Sequence, residues 1–156
     1  MGSKQFSQSL HDLHDPQIRS LVVERLPYAL GLLDPDRFSW STFRENPDKY
    51  GVDLLGVTEQ GEIIHAEVEH KTSERWNTTF PFPTLDIPYR KKKFAESANP
   101  TVFVVVNHNY SQMAVTIASV LMMLQPQKKN NVYANGELFY AVPLEYVRFC
   151  PLRGWA

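Results

Sequence analysis

The stretch Gly51-Val52-Asp53-Leu54-Leu55-Gly56-Val57-Thr58-Glu59-Gln60-Gly61-Glu62-Ile63-Ile64-His65-Ala66-Glu67-Val68-Glu69-His70-Lys71 decides how this chain reads. It holds two apolar runs separated by Thr58-Glu59-Gln60-Gly61, a short connector containing glycine. That pattern predicts two strands joined as a hairpin. Successive side chains of a strand point to opposite faces. His65, Glu67, Glu69 and Lys71 therefore share one face, and Ala66, Val68 and His70 the other. Two carboxylates and an ammonium in file on a strand otherwise made of Ile, Ala and Val are costly if that face is buried, unless the charges neutralise something. With the turn centred near Gln60, Asp53 falls opposite Glu67 and within one register step of Glu69.

Three carboxylates converging at a sheet edge repel one another and raise each other's pKa unless a divalent cation sits among them. Magnesium suits such a place, with manganese as a substitute. It takes hard oxygen ligands, is often held by one or two carboxylates, and keeps waters for a phosphate to displace. Asp53, Glu69 and Glu67 are the candidate ligands. Lys71, on the same face, is placed for a phosphate oxygen or a water. The set supplies what phosphodiester hydrolysis needs: an ion to polarise the phosphate and acidify water, and a cation for the developing charge.

Outward from the hairpin, Asp15-Pro16 opens a helix by a capping carboxylate and an N-terminal proline, and Pro27 is expected to close it. Ile18, Leu21, Val22 and Leu26 form its apolar stripe. Phe38, Trp40 and Thr42 alternate with polar neighbours, as in a short strand. Residues 72–88, rich in Thr, Asn and Pro, read as an irregular loop. Pro88 begins a helix over residues 89–98. Residues 101–106 are a continuous β-branched and aromatic run, the mark of a strand buried on both faces. Residues 114–118 read as a strand followed by a helix, residues 127–131 as a polar and basic loop, and residues 137–142 and 146–149 as strands. The sum is an α/β domain with a mixed sheet.

A chain of 156 residues, 43% hydrophobic and 21% charged, is the size and make-up of one globular domain that needs no disulfide or structural metal to hold a core. The expected layout is an N-terminal extension over residues 1–15, the domain over 16–150 and a tail over 151–156. No apolar run approaches the ~18–20 residues that cross a bilayer, so no membrane partner is expected. The lone Cys150 points to a reducing, cytoplasmic setting. The five His residues show no HExxH spacing, which argues against a zinc hydrolase. Ser41 and Ser73 lack His and Asp partners for a serine triad. Charge is segregated: residues 5–70 hold twelve acidic against five basic groups, and residues 71–129 eight basic against three acidic, which suits a cation and a polyanion held side by side.

Asp53, then Glu69-His70-Lys71 across the hairpin and followed by basic segments, resembles the PD-(D/E)XK nuclease superfamily, whose members share the restriction-endonuclease-like fold. The resemblance spans about residues 16–106 by order of elements. It implies a mixed central sheet flanked by helices, Asp53 and Glu69 as magnesium ligands, Lys71 to position or activate the water, and nucleic acid as substrate. Val52 stands where a proline often precedes the aspartate, and Pro47-Asp48 is a decoy in poorer register. Glu67 is an extra carboxylate, able to replace Glu69 or to act as a third ligand. Members that add a glutamate from the first helix make Glu24 a further candidate, and His65 shares the acidic file. Arg90, Lys91, Lys92 and Lys93 fall where such nucleases contact the DNA backbone, and Lys128 and Lys129 offer a second phosphate contact. Trp76, Phe80 and Phe82 are candidates for base stacking or, more simply, core cover.

The expectation is thus a magnesium-dependent endonuclease on DNA. Resolvase-like and restriction or phage types both fit it, and cutting both strands from one site calls for a homodimer. Its rival is a non-catalytic nucleic-acid-binding domain on the same fold. The pI of about 6.5 leaves room for a third reading, a protein-interaction domain with an acidic hairpin face.

Overall fold

In the computed structural model, which describes residues 7–9, 16–38, 40–48, 51–71, 73–129 and 137–152, the chain opens with β1 (Ser7–Ser9), α1 (Pro16–Leu33) and the short α2 (Pro35–Phe38). Strands β2 (Thr42–Glu45), β3 (Leu54–Val57), β4 (Ile63–Lys71) and β5 (Thr84–Pro88) follow. A 3-10 turn (Tyr89–Lys91) then leads into α3 (Lys92–Ala95), β6 (Thr101–Val106), β7 (Gln112–Ile117) and α4 (Ala118–Leu121). The last elements are β8 (Gln127–Lys129), β9 (Glu137–Pro143), a 3-10 turn (Leu144–Tyr146) and β10 (Arg148–Pro151).

Seven of the strands form one mixed sheet in the order β10-β7-β6-β4-β3-β2, with β1 also on β4; β5, β9 and β8 form a small antiparallel sheet. The expected hairpin is present: β3 and β4 pair antiparallel with Leu54 opposite Ala66, and the Thr58–Gly61 connector closes on Gly61 at φ +84, a conformation that costs glycine little. The pairing of β4 with β6 is parallel, which makes the sheet mixed. All six positions of β6 are buried, as its β-branched and aromatic run predicts, and the Thr101 hydroxyl donates to the Phe94 carbonyl.

The two faces of this sheet carry different cores. On one, Ile18, Val22, Leu26, Ala29 and Leu30 of α1 cover Ile64, Ala66 and Val68 of β4 and Val102, Val104 and Val106 of β6. On the other, Phe103 and Val105 meet Trp76, Leu85, Ile87, Leu121, Tyr140 and Val142, so the small sheet and the segment before it form the second cover.

Several local expectations need correction. Helix α1 runs through Pro27 to Leu33. The proline forfeits one backbone hydrogen bond, yet Ala29 and Leu30 continue the buried stripe and the packing holds the helix past it. Phe38 lies in α2, and the strand there begins only at Thr42, with Trp40 75% exposed. The supposed loop 72–88 ends in β5, and residues 127–129 are a strand, because both pair with β9. The helix after Pro88 is shorter than residues 89–98. Residues 7–9, assigned to an extension, pair with β4, and the domain reaches past residue 150 to Leu152, which is buried and bonded through its N–H to the Ser111 carbonyl. The capping role of Asp15, the side chain of Lys129, Asn130, Asn131 and the tail from residue 153 lie outside the described residues.

Candidate active site

The site begins where the β3–β4 ladder stops. Its last pair is Leu54 with Ala66, and side chains take over one residue on. The Asp53 N–H donates to Glu67 Oε2 at 3.0 Å, and Asp53 Oδ2 accepts the Val68 N–H at 2.8 Å. Further along the same edge of β4, β1 starts pairing at Ser9 with Glu69. Asp53 and Glu67 therefore fill a gap between two strands that share one neighbour, and they satisfy backbone groups the ladder leaves open. The register inferred from the hairpin is the one observed.

Glu67 and Glu69 project from β4 on the side of Phe103 and Val105, the second core. There they meet Lys91, delivered by the Tyr89–Lys91 turn directly after β5. Lys91 Nζ lies 2.8 Å from Glu67 Oε1 and 2.8 Å from Glu69 Oε1. Relative exposures are 3% for Asp53, 3% for Glu67, 6% for Glu69 and 7% for Lys91, so four ionisable groups share one nearly dry region of the fold. Arg90 reaches Glu69 Oε1 at 3.3 Å from the rim and Glu137 at 3.4 Å. Glu69 Oε2 is buried and accepts no hydrogen bond from the described residues.

The electrostatics follow from this crowding. Burial, then the charge of Glu67, pushes the Asp53 carboxyl up to about 7; the Val68 N–H and Lys91 pull it down, and Glu69 adds a further push upward. For Lys91, burial alone lowers the pKa, but the facing Glu69 and Glu67 carboxylates outweigh it and hold the ammonium above the usual lysine range. Lys91 is thus the cation that compensates the acidic file, a role the sequence did not disclose: within Arg90-Lys91-Lys92-Lys93 it reads as one more solvated base.

The other candidates separate around this centre. Lys71 ends β4 with Nζ 4.7 Å from the Phe82 ring centroid, and the Arg75 guanidinium lies 4.9 Å from the same centroid. His65 is half-buried near the Asn99 amide (3.4 Å). His70, on the opposite face, stacks on Tyr110 at 4.6 Å, and burial lowers its pKa. Glu24 is exposed on α1, which covers the opposite face of the sheet. Lys92 and Lys93 lie against Tyr89 and Phe94, Lys128 is exposed on β8, and Lys129 belongs to the same strand. Trp76 is fully buried and Phe80 packs edge-on against it, which makes both core aromatics. The Ser41 hydroxyl donates to the Phe38 carbonyl, and the Cys150 thiol is pushed up to about 11 by burial, so it stays protonated at neutral pH.

Among the described residues, no group of three or more His, Cys, Asp or Glu side chains is arranged to hold a metal ion. Magnesium needs fewer, one or two carboxylates, and Glu69 Oε2, buried and without a hydrogen-bond partner among the described residues, is a hard-oxygen donor of the kind it takes. No family model, no curated protein and no solved structure gives a significant match to this chain, so its reading rests on its own residues.

Proposed function

We propose that this protein is a magnesium-dependent nuclease that hydrolyses phosphodiester bonds in DNA, on a restriction-endonuclease-like arrangement of its mixed sheet. The observation that carries the reading is the buried group Asp53, Glu67, Glu69 and Lys91, in which one carboxylate oxygen, Glu69 Oε2, is left without a partner among the described residues. A protein that only needed a stable core gains little from such a group, because the desolvation of buried charges cancels much of their attraction. Asp53 and Glu69 would hold the ion, and the ion when bound supplies polarisation of the phosphate and a more acidic water. Arg90 at the rim, Lys92 and Lys93 on α3 and Lys128 on β8 would offer the backbone phosphates their counter-charges. A homodimer supplies the second cut that one site on a duplex cannot make.

The test is incubation with plasmid, linear, single-stranded and four-way-junction DNA in magnesium or manganese and in chelator. Cleavage is expected with the ions, none in chelator, and none from Asp53→Asn with its fold intact. Cleavage by Asp53→Asn at the wild-type rate would remove the basis for the proposal.

One observation favours a second reading. Lys91 already neutralises Glu67 and Glu69, as a fixed ammonium does where no metal is used. On that reading the chain is a non-catalytic nucleic-acid-binding domain, and it would bind the same DNAs with or without magnesium and leave all of them uncut.

A further inference from the structure

We propose that Lys91, rather than Lys71, is the amine that works at the phosphate, and that Glu67 is the residue that positions it; this rests on the nuclease reading. The argument is a count of oxygen atoms. Each oxygen of Glu67 has a partner, Oε1 the Lys91 Nζ at 2.8 Å and Oε2 the Asp53 N–H at 3.0 Å, so it serves as a holder. Glu69 gives Oε1 to Lys91 and Arg90 and leaves Oε2 buried and unpartnered. A divalent ion can therefore use Glu69 Oε2 while the ammonium stays on Oε1. Of the three N–H donors of an ammonium, two are aimed at Glu67 and Glu69; the third has no oxygen partner among the described residues, with the Phe94 ring centroid 5.6 Å from Nζ, and is the one assigned to a substrate oxygen.

Lys71 answers to different neighbours. Its Nζ and the Arg75 guanidinium share the ring of Phe82, a half-buried residue of the long segment before β5. That places Lys71 beside Phe82, whereas Lys91 sits on the acidic pair. Lys91 also acts at lower cost at the moment of reaction, because two carboxylates fix its position beforehand.

In the reaction a water oxygen bonds to phosphorus and the bond from phosphorus to one sugar oxygen breaks. The water gives up a proton to solvent, and the departing alkoxide takes one from solvent. Lys91 neither gains nor loses a proton. Its third N–H donates to a nonbridging phosphate oxygen, where negative charge builds.

The experiment compares wild type, Lys91→Met, Glu67→Gln and Lys71→Ala by manganese titration calorimetry and by cleavage of plasmid in magnesium. Lys91→Met is expected to lose about 100-fold in kcat, the scale for one preorganised donor, while binding manganese at least as tightly as wild type because a neighbouring positive charge has gone. Glu67→Gln keeps an acceptor for the Asp53 N–H, so its manganese affinity holds while kcat falls. Lys71→Ala is expected to raise KM and leave kcat within about fivefold of wild type. If Lys91→Met fails to fold, Glu67→Gln/Lys91→Met, which leaves no unpaired charge on Glu67, carries the same expectations. A folded Lys91 variant with kcat within about threefold of wild type, or a loss of about 100-fold in Lys71→Ala, overturns the proposal alone. A wild type that cuts none of the four DNAs overturns the nuclease reading, and this proposal falls with it.

Discussion

Strand β4 carries opposite chemistries on its two faces. Its even positions, Ile64, Ala66 and Val68, lie under α1 in a layer of aliphatic groups, whereas its odd positions set Glu67 and Glu69 against Phe103 and Val105 and oppose them with one lysine. Both faces are buried, but their energetics differ. The aliphatic face gains from every contact in proportion to area and tolerates exchanges of similar volume. The charged face depends on Lys91, 24 residues along the chain from Glu67, with Arg90 reaching only Glu69 from the rim, and it costs stability whenever Lys91 is missing.

The contrast breaks most visibly if a charge is moved by one residue. Val68→Asp places a carboxylate in the apolar cluster that holds Val22, Leu26 and Val104. The expected cost exceeds about 4 kcal/mol, enough to abolish a cooperative urea transition at 25 °C. A native-like midpoint would mean that the α1 face is as permissive to charge as its opposite. Next in size is Lys91→Met in metal-free buffer. It leaves Glu67 and Glu69 buried without their ammonium and should lose about 3–5 kcal/mol by urea denaturation. Millimolar manganese should recover part of the loss, since the ion compensates the same carboxylates. Equal destabilisation with and without manganese would separate the acidic group from any metal.

How much of this was legible beforehand divides along the same line. The hairpin, its register and the doubly buried β6 follow from local alternation and composition, so Asp53 could be set opposite Glu67 from spacing alone. Helix α1 passing Pro27 was not legible, because the burial of Ala29 and Leu30 outweighs a local breaker only once the sheet is in place. Strand β5, hidden in a Thr- and Pro-rich stretch, owes its form to β9, more than 50 residues later in the chain. Lys91 is the clearest case. Nothing in a run of four bases marks which one turns inward, and the choice is made where a 3-10 turn aims one side chain at carboxylates on a neighbouring strand.

A smaller effect tests the acidic group by pH. The Asp53 carboxyl is raised to about 7 in the folded protein, against an ordinary value of 3.8. Folding therefore takes up a proton between these values. The stabilising contribution is full below about pH 4 and is lost as pH rises through about 7. Metal-free wild type should accordingly lose stability between pH 5 and 8, and Asp53→Asn, whose amide oxygen can still accept the Val68 N–H, should show a flatter profile. A wild-type profile already flat across that window would place Asp53 in a wetter setting than its burial suggests.

The smallest expected effect is the one that best separates function from stability. In Glu67→Gln/Glu69→Leu/Lys91→Met, the glutamine keeps an acceptor for the Asp53 N–H, the leucine removes the orphaned oxygen, and the methionine fills the space of the lysine stem. Breaking the group one member at a time exposes an uncompensated charge, but replacing its members together removes desolvation cost and attraction alike. The urea midpoint should therefore stay within about 1 kcal/mol of wild type, or rise, while manganese binding and cleavage disappear. If the triple variant were instead destabilised as much as Lys91→Met, the charges would be a structural clamp on the gap between β1 and β3. Equal stability with lost metal binding would mean that the odd face of β4 is kept acidic for chemistry, at no benefit to the fold.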